Sequence, residues 1–494
     1  MRVIDAAKDS VSVSKSRLLA GIASAFLVAL AAGHAQAETL NAALATAYTT
    51  NPQLEAARAS LRATDESVPQ ARAGFRPTIT GQAGAGHEDR DLKLTTPLRR
   101  NILDGRGRRL DLDSQDDPRG YSVTLNQSLF RGFQTINTVR EAEANVLAAR
   151  ENLRSTEQTT LLNAVTSYMD VIQNQATVGL QKNNVDVLTQ YLASNERQFK
   201  AGAKTETDLA QSKAQRASSS AALEGAKAQL ESSRASYVEN IGRSPGVLQT
   251  PPAINHLLPR SLGEAIGVAQ EEHPSIIAAL FQEQAARNAV AAARGKMLPQ
   301  VDLQLQHSRE YDASSIVDEK GETSAMVRLT VPFYQGGSPS SQVRQAKQIL
   351  FQQQEQLRQA RLQVRTGVVS AWSQLMSTRS QLESNRVSAD ANKVALTGTR
   401  REEKAGTRTV LDVLNAEQNA LTSQVQLVTG DRNLVVANYT LLSAIGRLTA
   451  LNLRLAVELY DAEAYYRFVR RKLWGTRVEP NGSWVERNQG VRGR

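Results

Sequence analysis

The stretch Thr323-Ser324-Ala325-Met326-Val327-Arg328-Leu329-Thr330-Val331-Pro332-Phe333 decides the fold. Ala325, Val327, Leu329, Val331 and Phe333 occupy its odd positions, with Ser324, Arg328 and Thr330 between them. A two-residue period sends alternate side chains to opposite faces, so this is a strand with one apolar and one polar side. Tyr121, Val123, Leu125 and Leu129 alternate in the same way with Ser122, Thr124, Asn126 and Ser128. Val301, Leu303 and Leu305 against Asp302, Gln304 and Gln306 give a third strand, and the Gly-rich run from Pro77 to Gly86 a weaker fourth. Strands of about ten residues cross a bilayer when tilted. Four cannot close on themselves, because an open edge in hydrocarbon leaves backbone groups unsatisfied at several kcal/mol each. The barrel is therefore expected to be shared, with eight strands in a dimer or twelve in a trimer.

The four strands belong to a tandem duplication. Residues 38–52 match residues 260–274, with Leu40 on Leu262, Ala43 on Ala265 and Pro52 on Pro274, and Arg72 and Pro77 continue the match onto Arg294 and Pro299. Further on, Leu125, Gly132, Arg140, Gly202, Asp208, Ile241 and Gly242 fall on Leu329, Gly336, Arg344, Gly406, Asp412, Ile445 and Gly446. The offset drops from 222 to 204, which places an insertion between Pro77 and Leu125. There the segment 87–120 holds eight basic and eight acidic residues and reads as an exposed charged loop.

The rest is helical. Gln134 to Lys200 contains no proline and one internal glycine, Gly179; Ser341 to Ala405 contains only Gly367 and Gly398. Each would span about 100 Å if straight, a length found in coiled coils and helical barrels. Ala, Gln, Ser and Arg dominate these helices, which excludes a hydrocarbon environment and points to seams of small residues. Gly202 and Gly406 interrupt them at equivalent places and mark hairpin tips near 202–208 and 406–412.

Arg2, Lys8, Lys15 and Arg17 precede an apolar run from Leu18 to Ala32, and Ala35-Gln36-Ala37 has the form of a signal-peptidase site. The chain then divides into a signal segment 1–37, a first repeat 38–250 with its strand pair about 77–130, a second repeat 251–450 with its pair about 299–335, and a basic, partly disordered tail 451–494. The formal charge of +10 includes four bases and two acids in the signal, and nine bases against five acids in the tail. An exported protein meets little nucleic acid, so the basic balance is not read as a nucleic-acid site. With no cysteine and four scattered histidines after the signal, neither a disulfide scaffold nor a metal site is expected, and no cofactor.

Val331-Pro332-Phe333-Tyr334-Gln335-Gly336-Gly337, followed by Ser341-Gln342-Val343-Arg344-Gln345-Ala346, resembles the TolC family of outer-membrane channel-tunnels. So do Ala405-Gly406-Thr407-Arg408-Thr409-Val410-Leu411-Asp412-Val413-Leu414 and Leu442-Ser443-Ala444-Ile445-Gly446. The resemblance covers about Glu38 to Leu451. It implies a mixed α/β membrane protein: a homotrimer with a twelve-stranded β-barrel, four strands per chain, continued by a long α-helical barrel into the periplasm. It also implies a passive exit duct that works with a periplasmic adaptor and an inner-membrane pump.

The same resemblance assigns roles at the tips. Asp412 takes the place of the family's constriction aspartate, where three copies would focus negative potential across a narrow pore. The deeper aspartate falls at Asn415, so half of the usual double ring is missing. Thr207, Asp208 and Arg408 match residues that tie the closed state, while the gate tyrosine becomes Glu403, which would repel Asp208. Arg400, Arg401 and Lys404 are candidate replacements for the lost bond. Ala201, Gly202 and Ala203, with Ala405, Gly406 and Thr407, correspond to the tips that meet the adaptor. An Asp three residues after a Thr is equally an ordinary helix N-cap, and that reading stands beside the pore-lining one.

Gly242-Arg243-Ser244-Pro245-Gly246 fits the pattern of a hydrolase nucleophile elbow, but a long helix precedes it where the motif needs a strand, so it reads as a helix-ending turn. No enzyme is expected. The competing reading is a periplasmic coiled-coil adaptor or scaffold, which needs no duplicated hairpins of lipid-crossing length. The duct is expected to fractionate with the outer membrane as a heat-modifiable trimer on gels; a soluble periplasmic monomer would support the scaffold.

Overall fold

The structure is a computed structural model that describes residues 38–90, 114–314 and 317–478. The expected signal segment 1–37, the centre of the inserted loop, and the end of the tail with Trp484 lie outside the described residues. The helices are α1 (Leu40–Thr50), α2 (Pro52–Asp65), α3 (Ser67–Ala73), α4 (Gln134–Lys200), α5 (Glu206–Ile241), α6 (Leu262–Glu272), α7 (Pro274–Gly295), α8 (Ser338–Lys404), α9 (Val410–Ala444) and α10 (Ala464–Val469). The strands are β1 (Thr78–Ala85), β2 (Glu88–Arg90), β3 (Ser114–Asp116), β4 (Arg119–Arg131), β5 (Gln300–Ser314) and β6 (Val317–Thr330). Both α4 and α8 run for 67 residues. Among the described residues no helix is long and apolar enough to cross a membrane.

The chain forms two compact units. One contains residues up to Thr49, Asn163–Ile254 and Gln381–Val436; the other contains Thr50–Leu162, Asn255–Ser380 and the chain from Ala437 onward. In the first, the α4–α5 hairpin is seamed by side-chain amides bonded to hydroxyls. Asn174, Asn184 and Asn195 donate to Ser233, Ser219 and Ser212 at 2.5, 3.1 and 2.8 Å, and Asn240 donates to Ser167 at 2.8 Å. Small serines let the helices approach, and each bond satisfies a polar group that would otherwise be desolvated alone. Glu38 anchors the start of this unit, accepting from Tyr237 at 2.7 Å and Arg243 at 2.6 Å.

The second unit holds the sheet, antiparallel in the order β1-β4-β5-β6. Its two hairpins share one register: Thr78 faces Asn126 as Gln300 faces Thr330, at the repeat offsets of 222 and 204. The alternation read in the sequence thus belongs to paired strands, with one difference. β6 ends at Thr330 instead of reaching Phe333, because Pro332 has no N–H to give and, among the described residues, no strand lies beyond β6. At the ends of the insertion, β2 and β3 pair, with Glu88 opposite Asp116, so the segment expected to be loop begins and finishes as a ladder.

Strand passes to helix through a close backbone approach. A Cβ on Gly132, at φ +59°, would lie 2.2 Å from the Gly295 carbonyl oxygen, and one on Gly295 would lie 2.3 Å from that of Gly132. Neither position tolerates a side chain. The repeat also shows in the caps: Asn51 Oδ1 accepts from Gln53 and Leu54 N–H before Pro52, and His273 Nδ1 accepts from Ser275 N–H before Pro274.

The start of the tail is built into this unit. Tyr465 donates to Glu66 at 2.7 Å, Arg150 pairs with Glu463 at 2.9 Å, Arg76 donates to the Lys472 carbonyl at 3.0 Å, and Val469 is fully buried. Trp474 is exposed.

Under this element Asp65 is buried with neither carboxylate oxygen hydrogen-bonded among the described residues. Burial pushes its carboxyl up to about 6, against the pull of Arg150. The folded pKa lies above the unfolded one, so the folded state holds an extra proton between about pH 4 and 6, and stability falls as pH rises through that window. Asp65→Asn is expected to stabilise the purified protein at pH 7.5 by roughly 2 kcal/mol and to give no gain at pH 4, as read by calorimetry at both pH values.

Candidate functional site

The two hairpin tips are built alike, bond for bond. At the end of α4, Ala201 N–H bonds Arg197, Gly202 bonds Phe199 and Ala203 bonds Gln198; at the end of α8, Ala405 bonds Arg401, Gly406 bonds Glu403 and Thr407 bonds Glu402. Gly202 and Gly406 sit at φ +79° and +81°, the left-handed conformation that ends a helix in this pattern. The six tip residues Ala201, Gly202, Ala203, Ala405, Gly406 and Thr407 are all exposed.

The returning helices open with matching capping boxes. Thr205 N–H donates to Asp208 Oδ2 at 3.1 Å while Asp208 N–H donates to Thr205 Oγ1 at 3.2 Å. Thr409 and Asp412 repeat the exchange at 3.0 and 3.2 Å. These bonds hold both aspartates below the usual carboxylate range. For Asp208 the Thr205 hydroxyl is the main cause, and for Asp412 the Thr409 N–H. The capping reading of Asp412 is therefore realised, and it keeps the side chain ionised, as a charged constriction requires. Asn415, one turn on, is exposed.

The sequence-predicted gate residues find partners outside their own set within the chain. Asp208 bonds Thr205, Arg408 Nε donates to Glu402 at 3.0 Å, and Glu403 pairs with Lys204 at 2.7 Å. Thr207 is exposed. The Lys204–Glu403 pair joins the two tips and is largely buried, with side chains 17% and 10% exposed. Of the candidate replacements for the missing tyrosine bond, Arg400 pairs instead with Glu417. Leu188, Val410 and Leu414 form a buried cluster beside the pair, packed against Tyr191. Burial pushes the Tyr191 phenol up to about 12, with Glu403 the next contributor.

Lys204 was missed in the sequence, yet a signal existed. It lies at the repeat position of Arg408, each the second residue after the tip glycine. Only the three-dimensional arrangement shows that Lys204 reaches across to the other hairpin while Arg408 stays on its own.

This geometry sits in a chain whose relatives are informative. The outer membrane efflux protein family matches residues 43–243 and 265–447, one segment per repeat. Outer membrane efflux protein BepC of Brucella suis biovar 1 is 36% identical over 361 residues, 73% of this chain and 79% of its own. The chain belongs to the outer membrane efflux protein family. Outer membrane protein TolC of Escherichia coli is 23% identical over 364 residues, covering 67% of this chain and 70% of its own. The fold matches the crystal structure of the Campylobacter jejuni CmeC outer membrane channel with a TM-score of 0.71 at 15% identity, covering 87% of this chain and 89% of that one. The TolC-like fold that the resemblance implied is thus present. The protein is an outer-membrane efflux channel of the tripartite efflux and type I secretion class, with a periplasmic helical portion, and it transports without catalysing a reaction. The soluble scaffold reading is set aside.

Lys204→Met would leave the Glu403 carboxylate buried without its counter-charge, a change that costs about 3 kcal/mol in buried pairs. Hydrogen exchange at the tips is expected to accelerate in Lys204→Met and to return most of the way in the Lys204→Met/Glu403→Gln double variant. Equal exchange in all three proteins would show that the pair holds nothing together.

Proposed function

We propose that three copies form one passive duct, constricted by a ring of three Asp412 side chains and held shut in each chain by the Lys204–Glu403 pair. The capping box at Asp412 carries this reading. It fixes the carboxylate at the first turn of α9 and keeps it charged near neutral pH, so the ring presents three negative charges to passing ions. Lys204–Glu403 supplies the tie between hairpins that the family's gate tyrosine would otherwise make. Thr207, Asp208 and Arg408 are left to act across the subunit boundary.

The exposed tips Ala201–Ala203 and Ala405–Thr407 are the surfaces that a periplasmic adaptor would meet, linking the duct to an inner-membrane pump. Their small side chains admit close approach of another backbone.

Single-channel recording in planar lipid bilayers tests the ring. Asp412→Asn keeps a side chain able to cap and removes the charge, so block by multivalent cations is expected to disappear. Asn415→Asp adds a second ring, and block is expected to deepen about tenfold, or ~1.4 kcal/mol. Unchanged block in both variants would move the constriction away from Asp412.

A further inference from the structure

The basic tail is the sequence feature to which the duct assigns no role. From Ala464 to Val478 it carries Arg467, Arg470, Arg471, Lys472 and Arg477 and no acid. α10 aims this run at the sheet. On α4 the ion pairs step from Arg150, which holds Glu463, to Glu143, which holds Arg470 at 3.6 Å, and so toward the end of α4 that follows β4. Along α3 the hydrogen bonds step from Glu66, beside Tyr465, to Arg76, beside the Lys472 carbonyl, and Arg76 stands two residues before β1. Both series run toward the junction of helix and strand, and the buried Val469 fixes that direction by packing.

Past Lys472 the chain makes a compact turn. Lys472 Nζ lies 5.2 Å from the centre of the Phe468 ring, and Gly475, at φ +99°, bends the chain so that the same ammonium donates to the Arg477 carbonyl. Leu473 and Trp474 stand on this turn at 73% and 90% exposure. Arg471 and Arg477 are exposed beside them and pair with no acid among the described residues. Phe75, next to Arg76, is exposed as well, and its carbonyl accepts from the side chain of Gln127 at 3.2 Å. Gln127 shares the face of Leu125 by alternation, which sets Phe75 and Arg76 beside the apolar side of the sheet.

We infer that the turn 471–478 is a docking surface for the anionic phospholipid headgroups of the periplasmic leaflet, with Leu473 and Trp474 entering the headgroup layer and Arg471 and Arg477 pairing with its phosphates. The place and the chemistry both select this partner. In an outer-membrane channel the strand ends next to the helices are where hydrocarbon gives way to water, and the tail delivers the turn to that level. Trp sits well at such a boundary because its ring is apolar and its N–H polar. Cations gain from the negative surface potential, and the stems of Arg and Lys cover apolar surface while their charge stays in water. Apolar insertion combined with basic charge is the pair of signals that makes surface binding stable where either alone is marginal.

Tryptophan fluorescence tests the contact in the full-length protein. Trp372→Phe/Trp484→Phe leaves Trp474 as the single tryptophan of the chain. Reconstituted in vesicles of phosphatidylethanolamine and phosphatidylglycerol, Trp474 is expected to be quenched by phospholipids brominated near the headgroup and shielded from acrylamide. Each base near an anionic surface is worth about fivefold in binding, so Arg471→Gln/Arg477→Gln is expected to lower the ratio of docked to undocked Trp474 roughly 25-fold. Vesicles of phosphatidylcholine make the same comparison on the unsubstituted tail, and docking there is expected to be weaker. Equal quenching in neutral and anionic vesicles would overturn headgroup recognition. Trp474 open to acrylamide in both vesicles would overturn the docking surface altogether. Shielding already complete in detergent, with no quenching by brominated lipid, would overturn it in favour of a neighbouring copy seated on the turn.

Discussion

The backbone hydrogen bonds of β1 and β6 govern this molecule. Every second residue of each strand turns its N–H and carbonyl to an edge that hydrocarbon cannot solvate. The chain's own sheet satisfies one edge of each and leaves the other open. In the proposed trimer, copies of the chain supply the missing partner, and the two hairpins of each copy share one register. On that proposed reading, a chain with two matching halves repeats between copies the kind of strand contact that joins its own halves.

That economy holds in the backbone and relaxes in the side chains. Gly202 and Gly406 adopt the same conformation, and Thr205–Asp208 and Thr409–Asp412 exchange the same bonds. The cations two residues after each glycine differ in reach: Lys204 crosses to Glu403 and is largely buried, while Arg408 stays with Glu402 and remains exposed. The repeat fixes where a cation stands, and the neighbouring helix end decides which acid it meets. Phe199 stands where the second repeat has Glu403, so Arg408 has no counterpart of the acid that Lys204 finds.

Local signals were legible in the sequence. The period of two marked the strands, the absence of proline marked the helices, and glycine at matched positions marked the tips. All of these act between residues close in the chain. The features that were not legible depend on residues far apart. The asparagine–serine seam of α4 and α5 pairs residues such as Asn174 and Ser233, and neither is unusual on its own helix. The tail read as basic and partly disordered, and nothing in it signalled that Tyr465 and Glu463 find Glu66 and Arg150 in a surface built from the first repeat. β6 looked longer than it is because alternation predicts a strand whether or not a partner exists to pair with it.

Capping and the proposed lining of a pore make competing demands on Asp412, and the geometry reconciles them. The cap engages Oδ2 with Thr409 and stabilises the ionised form, so the bonds that start α9 also preserve its charge. Asp208 is held in the same way and gains the same protection. Local folding therefore cannot be what distinguishes a constriction residue from its repeat equivalent. The distinction must come from the next turn of each helix: Val413, Leu414 and Asn415 in one repeat, Leu209, Ala210 and Gln211 in the other. Val413 and Leu414 are buried, which pins the first turn of α9 against its neighbours, whereas Leu209 is only half-buried and Ala210 is exposed. A carboxylate on the firmly packed turn is the better fixed charge, and the one on the looser turn is the better suited to change partners in the proposed gate.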